Sequence, residues 1–153
     1  MLFQYTSIDR STIRLIRFLP YSTPSNIYLS LEHLPYYYHH QQHPPHPSLK
    51  YNALKISPPP PPSQPEEDRK PLTLAGRTFL VPSPLWDALS SMVDRKFELA
   101  TPLWAEYVCV NQQDEDEKYV QEAQKGRILR CARKVLVWNG VAVEEEEEEE
   151  EHL

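Results

Sequence analysis

Two segments near the N-terminus, at residues 11–20 and 26–35, alternate apolar and polar side chains with a period of two. This alternation predicts β-strands, the first of them ended by Pro20. The apolar residues that share a face are Ile13, Leu15 and Leu19 in the first segment, and Ile27, Leu29 and Leu31 in the second. The short apolar segment 51–56 predicts a third strand, and 72–82 predicts a hairpin that turns at Ala75-Gly76.

A helical period follows the hairpin, from residue 83 to residue 92. The apolar residues at spacing i, i+3, i+4 and i+7 are Leu85, Ala88, Leu89 and Met92. They predict an amphipathic helix with one buried face. Ser83 suits the N-cap, and Pro84 suits the first helical position, where its missing N–H does no harm.

Residues 103–110, which read LWAEYVCV, are almost continuously apolar. Such a run predicts a central strand covered on both faces, the situation of a parallel sheet. The acids at 114–117 favour the start of a helix that reaches Arg133, and 134–140 predict a further strand. A strand, a crossover helix and a second strand indicate parallel neighbours. The expected fold class is α/β.

Three polar residues in this region are candidates for a site. Asn111 and Gln112 lie at the carboxyl end of the predicted strand, where open parallel sheets place their ligands. Asn111 also fits a plain turn. Glu106 interrupts the apolar run, and a buried carboxylate is unfavourable without a partner. Either Glu106 forms a structural salt bridge or it has a functional role.

Low-complexity sequence fills much of the remainder. Segment 36–50, rich in Pro and His, and segment 57–71, rich in Pro, are predicted to be disordered surface loops, and 141–153 is predicted to be an acidic disordered tail. The four histidines His39, His40, His43 and His46 fit no zinc spacing, so no metal is predicted. No cofactor is predicted either.

Charge and hydropathy narrow the class of protein. The eight glutamates at 144–151 account for more than the whole net charge of −6, and no basic footprint of a nucleic-acid binder is left. No apolar stretch is long enough for a membrane span. Cys109 and Cys131 are interpreted as buried small apolar side chains in a reducing compartment. The expected location is the cytoplasm.

The sequence LWAEYVCVNQQDEDEKYVQEAQKGRILRCARKVLVWNG, residues 103–140, resembles the fungal heterokaryon-incompatibility (HET) domain. That family's hallmark has the form lWiDaiCINQ, followed by a helix with E…Q…M…IY…A and then by V.vWLG. The residues in register without a gap are Leu103, Trp104, Cys109, Asn111, Gln112, Glu117, Gln121, Ile128, Ala132, Val135, Trp138 and Gly140. Upstream, YNAL at 51–54 is similar to the start of the family's YEALSYxWG.

The resemblance implies a HET-like domain at 1–140 that acts in fungal nonself recognition and programmed cell death, by self-association or by binding a protein partner. It also implies a TIR- or flavodoxin-like fold, a mainly parallel sheet flanked by helices, with extra N-terminal strands and a hairpin. Trp104, Tyr51, Asn111 and Gln112 become candidate binding residues, and Glu106 a candidate catalytic one. Because some TIR domains cleave NAD, an NAD-cleaving hydrolase is the alternative function.

Several positions depart from the family's pattern. Glu106 replaces the usual Asp, and residues 55–59 replace the SYxWG half of the first motif. Glu122 and Lys125 occupy core-facing helix positions that are usually Val and Met, so the first half of the helix is expected to pack poorly or to turn outward. A truncated or decayed member, without surviving activity, is therefore a third interpretation.

Overall fold

A computed structural model describes residues 2–35, 50–60 and 68–146. Within these ranges the chain forms eight strands and three helices. The strands are β1 Thr12–Phe18, β2 Tyr28–Pro35, β3 Asn52–Ile56, β4 Arg69–Leu74, β5 Arg77–Pro82, β6 Leu103–Ala105, β7 Lys134–Trp138 and β8 Val143–Glu145. The helices are α1 Ser83–Arg95, α2 Glu106–Cys109 and α3 Glu115–Cys131.

The described strands form one mixed sheet in the order β5-β4-β2-β1-β6-β3-β7-β8. Pairing is antiparallel for β1–β2, β1–β6, β4–β5 and β7–β8, and parallel for β2–β4, β3–β6 and β3–β7. The predicted fold, a mainly parallel TIR- or flavodoxin-like sheet flanked by helices, is therefore wrong. The crossover through α2 and α3 links β6 and β7, which are both parallel to β3, whereas the consecutive strands β1–β2, β4–β5 and β7–β8 pair antiparallel.

The apolar run at 103–110 is not one strand. Strand β6 ends at Ala105, and the next four residues form the short helix α2. An almost continuous apolar run shows no clear period, so it cannot separate a buried strand from a buried helical turn. Val108 and Cys109 are the buried residues of this helix. The prediction that Glu106 lies within a central strand is also wrong, because Glu106 is the first residue of α2.

Helix α1 and the β4–β5 hairpin confirm their patterns. Leu85, Ala88, Leu89 and Met92 are the buried residues of α1, as their spacing predicts. The hairpin turns at Ala75 and Gly76, whose φ angles of 51° and 78° suit the tight turn that joins twisted strands. The predicted cap is wrong: Pro82 precedes the helix, and the Ser83 hydroxyl donates to the carbonyl of Asp68 at 2.8 Å.

Helix α3 faces the sheet with polar side chains. Its buried residues are Glu117, Gln121, Gln124 and Ile128, which lie on one face. The amides of Gln121 and Gln124 donate to the carbonyls of Thr12, at 3.3 Å, and Arg10, at 2.9 Å. Thr12 is the first residue of β1, and Arg10 lies two residues before it. The helix is thus attached to the sheet by hydrogen bonds where an apolar face is usual.

Parts of the predicted disordered segments belong to the sheet. Glu144 and Glu145 of the acidic run lie in β8, which pairs with β7. Residues 69–71 of the second Pro-rich segment lie in β4. Residues 36–49, 61–67 and 147–153 lie outside the described ranges. The disorder predicted for these residues, and the four clustered histidines, therefore fall outside the described ranges as well.

Candidate functional site

A cavity of about 510 Å³ opens where β6, β3 and β7 approach their carboxyl ends. Parallel strands gather such sites at this edge of a sheet. The volume is typical of small-molecule sites. The lining residues are Leu54, Lys55, Ile56, Ser57, Pro59, Pro60, Leu85, Trp104, Ala105, Glu106, Tyr107, Gln112, Lys118, Glu122, Lys125, Leu129, Val137 and Glu146.

The aromatic residue most deeply placed in this lining is Trp104, on β6. Its surface is 1 % exposed, and its indole Nε1 is buried with no hydrogen-bond partner among the described residues. Buried indole N–H groups usually find an acceptor, because leaving them unpaired is unfavourable. Leu54 and Leu85 add buried apolar surface to the lining. The cavity therefore combines an apolar wall with an unused donor in that wall.

Charged side chains surround the apolar part. Glu106 forms an ion pair with Lys125, with Oε2 and Nζ 2.6 Å apart. Lys55 pairs with Glu146 at 3.1 Å. The hydrogen bond with Glu106, assisted by partial burial, raises the pKa of the Glu122 carboxyl above its ordinary value. Two carboxyl groups thus meet at the cavity, one from α2 and one from α3.

The position of Glu106 explains how a carboxylate is tolerated after an apolar run. The side chain leaves the sheet at the start of α2 and is 30 % exposed, so it retains water as well as Lys125. The salt bridge that the sequence left as one alternative exists, and it lies inside the cavity. Structural pairing and a place in a candidate site coincide at this residue.

The two amide residues, Asn111 and Gln112, have different surroundings in the structure. Gln112 lines the cavity, and its Nε2 donates to the carbonyls of Glu106 at 3.3 Å and Val110 at 3.2 Å. Asn111 is not among the lining residues: its backbone N–H donates to Glu117 and its Oδ1 accepts from the N–H of Gln113 at 3.1 Å. Asn111 therefore builds the turn into α3, the plainer of its two interpretations.

Tyr51 lies away from the cavity lining. It is fully buried, and its hydroxyl donates to the carbonyl of Ile128 at 2.6 Å. This bond ties the start of β3 to the last turns of α3. Of the five candidate residues, the cavity brings together Trp104, Glu106 and Gln112.

The sequence did not identify the cavity's α3 wall as part of a site. Lys118, Glu122, Lys125 and Leu129 follow one another at helical spacing and all line the cavity. Glu122 and Lys125 stand where the HET pattern has apolar residues. The first half of the helix does not turn outward, because Glu117 and Gln121 are buried; Glu122 and Lys125 lie off this buried face and line the cavity. The two departures from the family pattern, at Glu122 and Lys125, were the sequence signal that could have identified this wall.

A buried ion pair on the other face of α3 fixes the helices that carry the site. Both terminal nitrogens of Arg14, on β1, lie 2.7 Å from the carboxylate oxygens of Glu117. Arg14 also donates to the carbonyl of Cys109, at the end of α2, at 3.1 Å. The Tyr5 ring centroid lies 4.6 Å from the guanidinium, and burial raises the pKa of Tyr5. One arginine therefore connects β1, α2 and α3.

The two cysteines occupy structural positions. Burial raises the pKa of the Cys109 thiol to about 12, so this side chain stays protonated and apolar in character. Cys131 is half-buried at the end of α3. The described ranges contain no cluster of His, Cys, Asp or Glu suited to a metal ion. They also contain no helix that is long and apolar enough to cross a bilayer.

Residues 48–152 match the family model described as Heterokaryon incompatibility protein (HET). The match takes in more than half of the chain and every residue that lines the cavity. The chain belongs to this family, and its role is related to heterokaryon incompatibility. No curated protein and no solved structure matches the chain.

Proposed function

We propose that this protein is a signalling module of fungal nonself recognition, located in the cytoplasm, that leads to programmed cell death through self-association or through a protein partner. The observation that carries the proposal is the family match over 48–152, which contains the whole cavity. The resemblance of residues 103–140 to the HET hallmark supports it independently of the fold.

The cavity suits recognition because its charges are held loosely. The Glu106–Lys125 and Lys55–Glu146 pairs are between 30 % and 44 % exposed at each side chain. Exposed pairs of this kind contribute about 0–1 kcal/mol. A partner can therefore exchange them for its own charges with little loss, while the apolar wall supplies burial.

Expression in a fungal host tests the proposal. We expect induction of the wild-type chain to reduce viability and the charge reversal Lys125→Glu to relieve that effect. Lys70→Glu is the matched control, because Lys70 pairs with Asp87 at 3.4 Å and is similarly exposed, yet lies outside the cavity lining. A wild-type chain without toxicity that is also strictly monomeric and partnerless in pull-downs would refute the proposal.

An NAD-cleaving hydrolase is the second candidate. The observation that favours it is a carboxylate, Glu106, at a cavity beside Trp104. A carboxylate there would stabilise the positive charge that develops as the bond to nicotinamide breaks. Because the TIR-like fold is wrong for this chain, only the cavity supports this candidate.

Incubation of the purified protein with NAD tests it, with free nicotinamide as the measured product. Loss of nicotinamide release in Glu106→Gln, with retention in Asp87→Asn, is the expected pattern for an enzyme. Wild-type protein that releases no nicotinamide excludes the hydrolase.

A further inference from the structure

We propose that this protein forms a symmetric dimer in which one exposed side of helix α3 packs antiparallel against the same side of a second copy. The residues of this side, called the α3 seam here, are Asp116, Tyr119, Ala123, Gly126 and Arg130. The inference rests on the proposed function and deepens it, because it names a second copy as the partner and the seam as the surface of self-association.

Helix α3 has three sides with different surroundings. The side that includes Glu117 and Ile128 is buried against the sheet, and the side that includes Lys118 and Leu129 lines the cavity. The seam residues follow one another at intervals of three and four positions, so they share a third side. All five are exposed. A second copy can therefore contact the seam without displacing the contacts of α3 with the sheet.

The middle of the seam combines a large aromatic side chain with two of the smallest residues. Tyr119 is 79 % exposed. A Cβ added at Gly126 meets nothing within 4 Å, and Ala123 adds only a methyl group to the surface. Because the side chains at the contact set the distance between packed helices, these two residues allow close approach. The tyrosine ring then packs across the neighbouring helix, as interface tyrosines commonly do.

The two ends of the seam carry opposite charges. Asp116 lies in the first turn of α3 and Arg130 in its last turn. Neither makes an ion pair within 4.0 Å with another residue in the described part of the chain. Charges of these signs favour the helix itself through its dipole. They also leave a negative and a positive group exposed at opposite ends of the same side.

This arrangement of charge selects the antiparallel orientation. Ala123 lies midway in sequence between Asp116 and Arg130. A two-fold axis that passes at Ala123 therefore places each Asp116 beside Arg130 of the other copy, which makes two attractive contacts in one dimer. Parallel helices would instead place like charges together at both ends. The seam is thus complementary to itself in one orientation only.

The length of α3 limits the strength of the dimer. A helix of 17 residues is about 26 Å long, and one pair of such helices buries less surface than a standard interface. We expect a reversible dimer with a dissociation constant on the order of 10–100 µM. Because the paired charges are exposed, added salt should weaken the dimer.

Sedimentation equilibrium of the full-length protein tests the inference, at concentrations on both sides of that dissociation constant. Asp116→Arg and Arg130→Glu should each weaken the dimer about tenfold, because each variant brings like charges together across the two-fold axis. A mixture of the two variants should regain the wild-type affinity, since every contact between them again joins opposite charges. Asp94→Arg, at an exposed acid of α1, is the control and should leave association unchanged.

Gly126→Gln separates association from folding. Glutamine favours a helix more than glycine does, so this variant should raise the free energy of unfolding of the monomer. The same side chain stands where the two helices approach, so it should weaken the dimer at least fivefold. Effects in these opposite directions do not arise from a loss of structure.

Two results would overturn the inference. One is a wild-type chain that stays monomeric at millimolar concentration. The other is a dimer that the seam variants leave unchanged, or whose two charge variants associate no better when mixed than apart.

Failure of this inference is distinct from failure of the proposed function. A monomeric chain that kills its host retains the function and loses the α3 dimer. A chain that dimerises through the seam but leaves its host unaffected retains the dimer and loses the function.

Discussion

Arg14 is the most demanding single residue of the fold, because its side chain is fully buried and charged. Removing it by Arg14→Met leaves Glu117 buried without its cation, which is expected to lower the free energy of unfolding by about 3–5 kcal/mol. Denaturant unfolding would measure this loss. Arg17→Met on the same strand is the control, since Arg17 is 45 % exposed and should lose about 1 kcal/mol or less.

The double variant Arg14→Met/Glu117→Gln separates the pair from the packing. It removes both charges, so it should recover part of the stability lost in Arg14→Met. A double variant no more stable than Arg14→Met would show that the loss comes from packing around the arginine stem.

Glu122 is one residue through which pH is expected to act on stability. Its pKa is raised in the folded chain, with Glu106 the main cause and Lys125 and Lys118 opposing it. A raised carboxyl pKa contributes stability at low pH that is lost as pH rises through the folded pKa. Relative to Glu122→Gln, the wild type should therefore become less stable over that interval and stay constant above it. Parallel stability profiles of the two proteins would contradict this.

At the scale of elements, substitution by alanine is expected to have opposite effects at Gly126 and Gly76. A Cβ added at Gly126 or at Gly76 meets nothing within 4 Å, so sterics do not distinguish them. Gly126 lies inside α3, where Gly126→Ala should stabilise by about 1 kcal/mol. Gly76 has a φ of 78°, so Gly76→Ala should destabilise. Thermal melting of both variants measures the difference, and equal shifts would refute the argument.

The sequence predicted those elements whose side chains carry a clear period. The spacing of Leu85 and Met92 in α1 reflects one buried face, which local sequence encodes. The alternation in β1 located the strand, although Ile13 to Ile16 are buried on both of its faces. Residues 103–110 lack a period, and there the prediction of one strand was wrong. Helix α3 was found from its terminal charges, but its buried polar face was not, because Gln121 and Gln124 bond to carbonyls more than 100 positions away.

The site was predicted in the same uneven way. Trp104, Glu106 and Gln112 line the cavity because a cavity does form where β6 and β3 end. Tyr51 and Asn111 carry polar groups that structural hydrogen bonds use instead. Which polar group is left over for a ligand depends on distant partners, and a single sequence does not specify them.

At the scale of the whole molecule, the fold extends beyond the family match. Strands β1 and β2 precede residue 48, yet β1 lies in the interior of the sheet between β2 and β6. The strand order was not predictable, because alternation indicates that a strand exists but not which strand lies beside it. This insertion of an antiparallel strand next to β6, together with the antiparallel pairs β4–β5 and β7–β8, makes the sheet mixed.

Deleting residues 1–35 therefore tests the unity of the fold. The remaining chain keeps all the cavity residues but loses Arg14 and the neighbour of β6. We expect it to lose cooperative unfolding, measured by circular dichroism against denaturant, while the full chain unfolds in one transition. A shortened chain with an equally sharp transition would show that the family-matched part folds alone. A full chain without a cooperative transition would instead support the inactive-fragment interpretation.

The hydrogen bonds that attach α3 near the start of β1 have an evolutionary consequence. Gln121 and Gln124 hold the main-chain oxygens of Thr12 and Arg10, atoms that every amino acid supplies. Homologous chains can therefore vary freely at those two places without loosening the helix. Position 14 cannot vary in this way, because there the contacts are made by the arginine side chain itself.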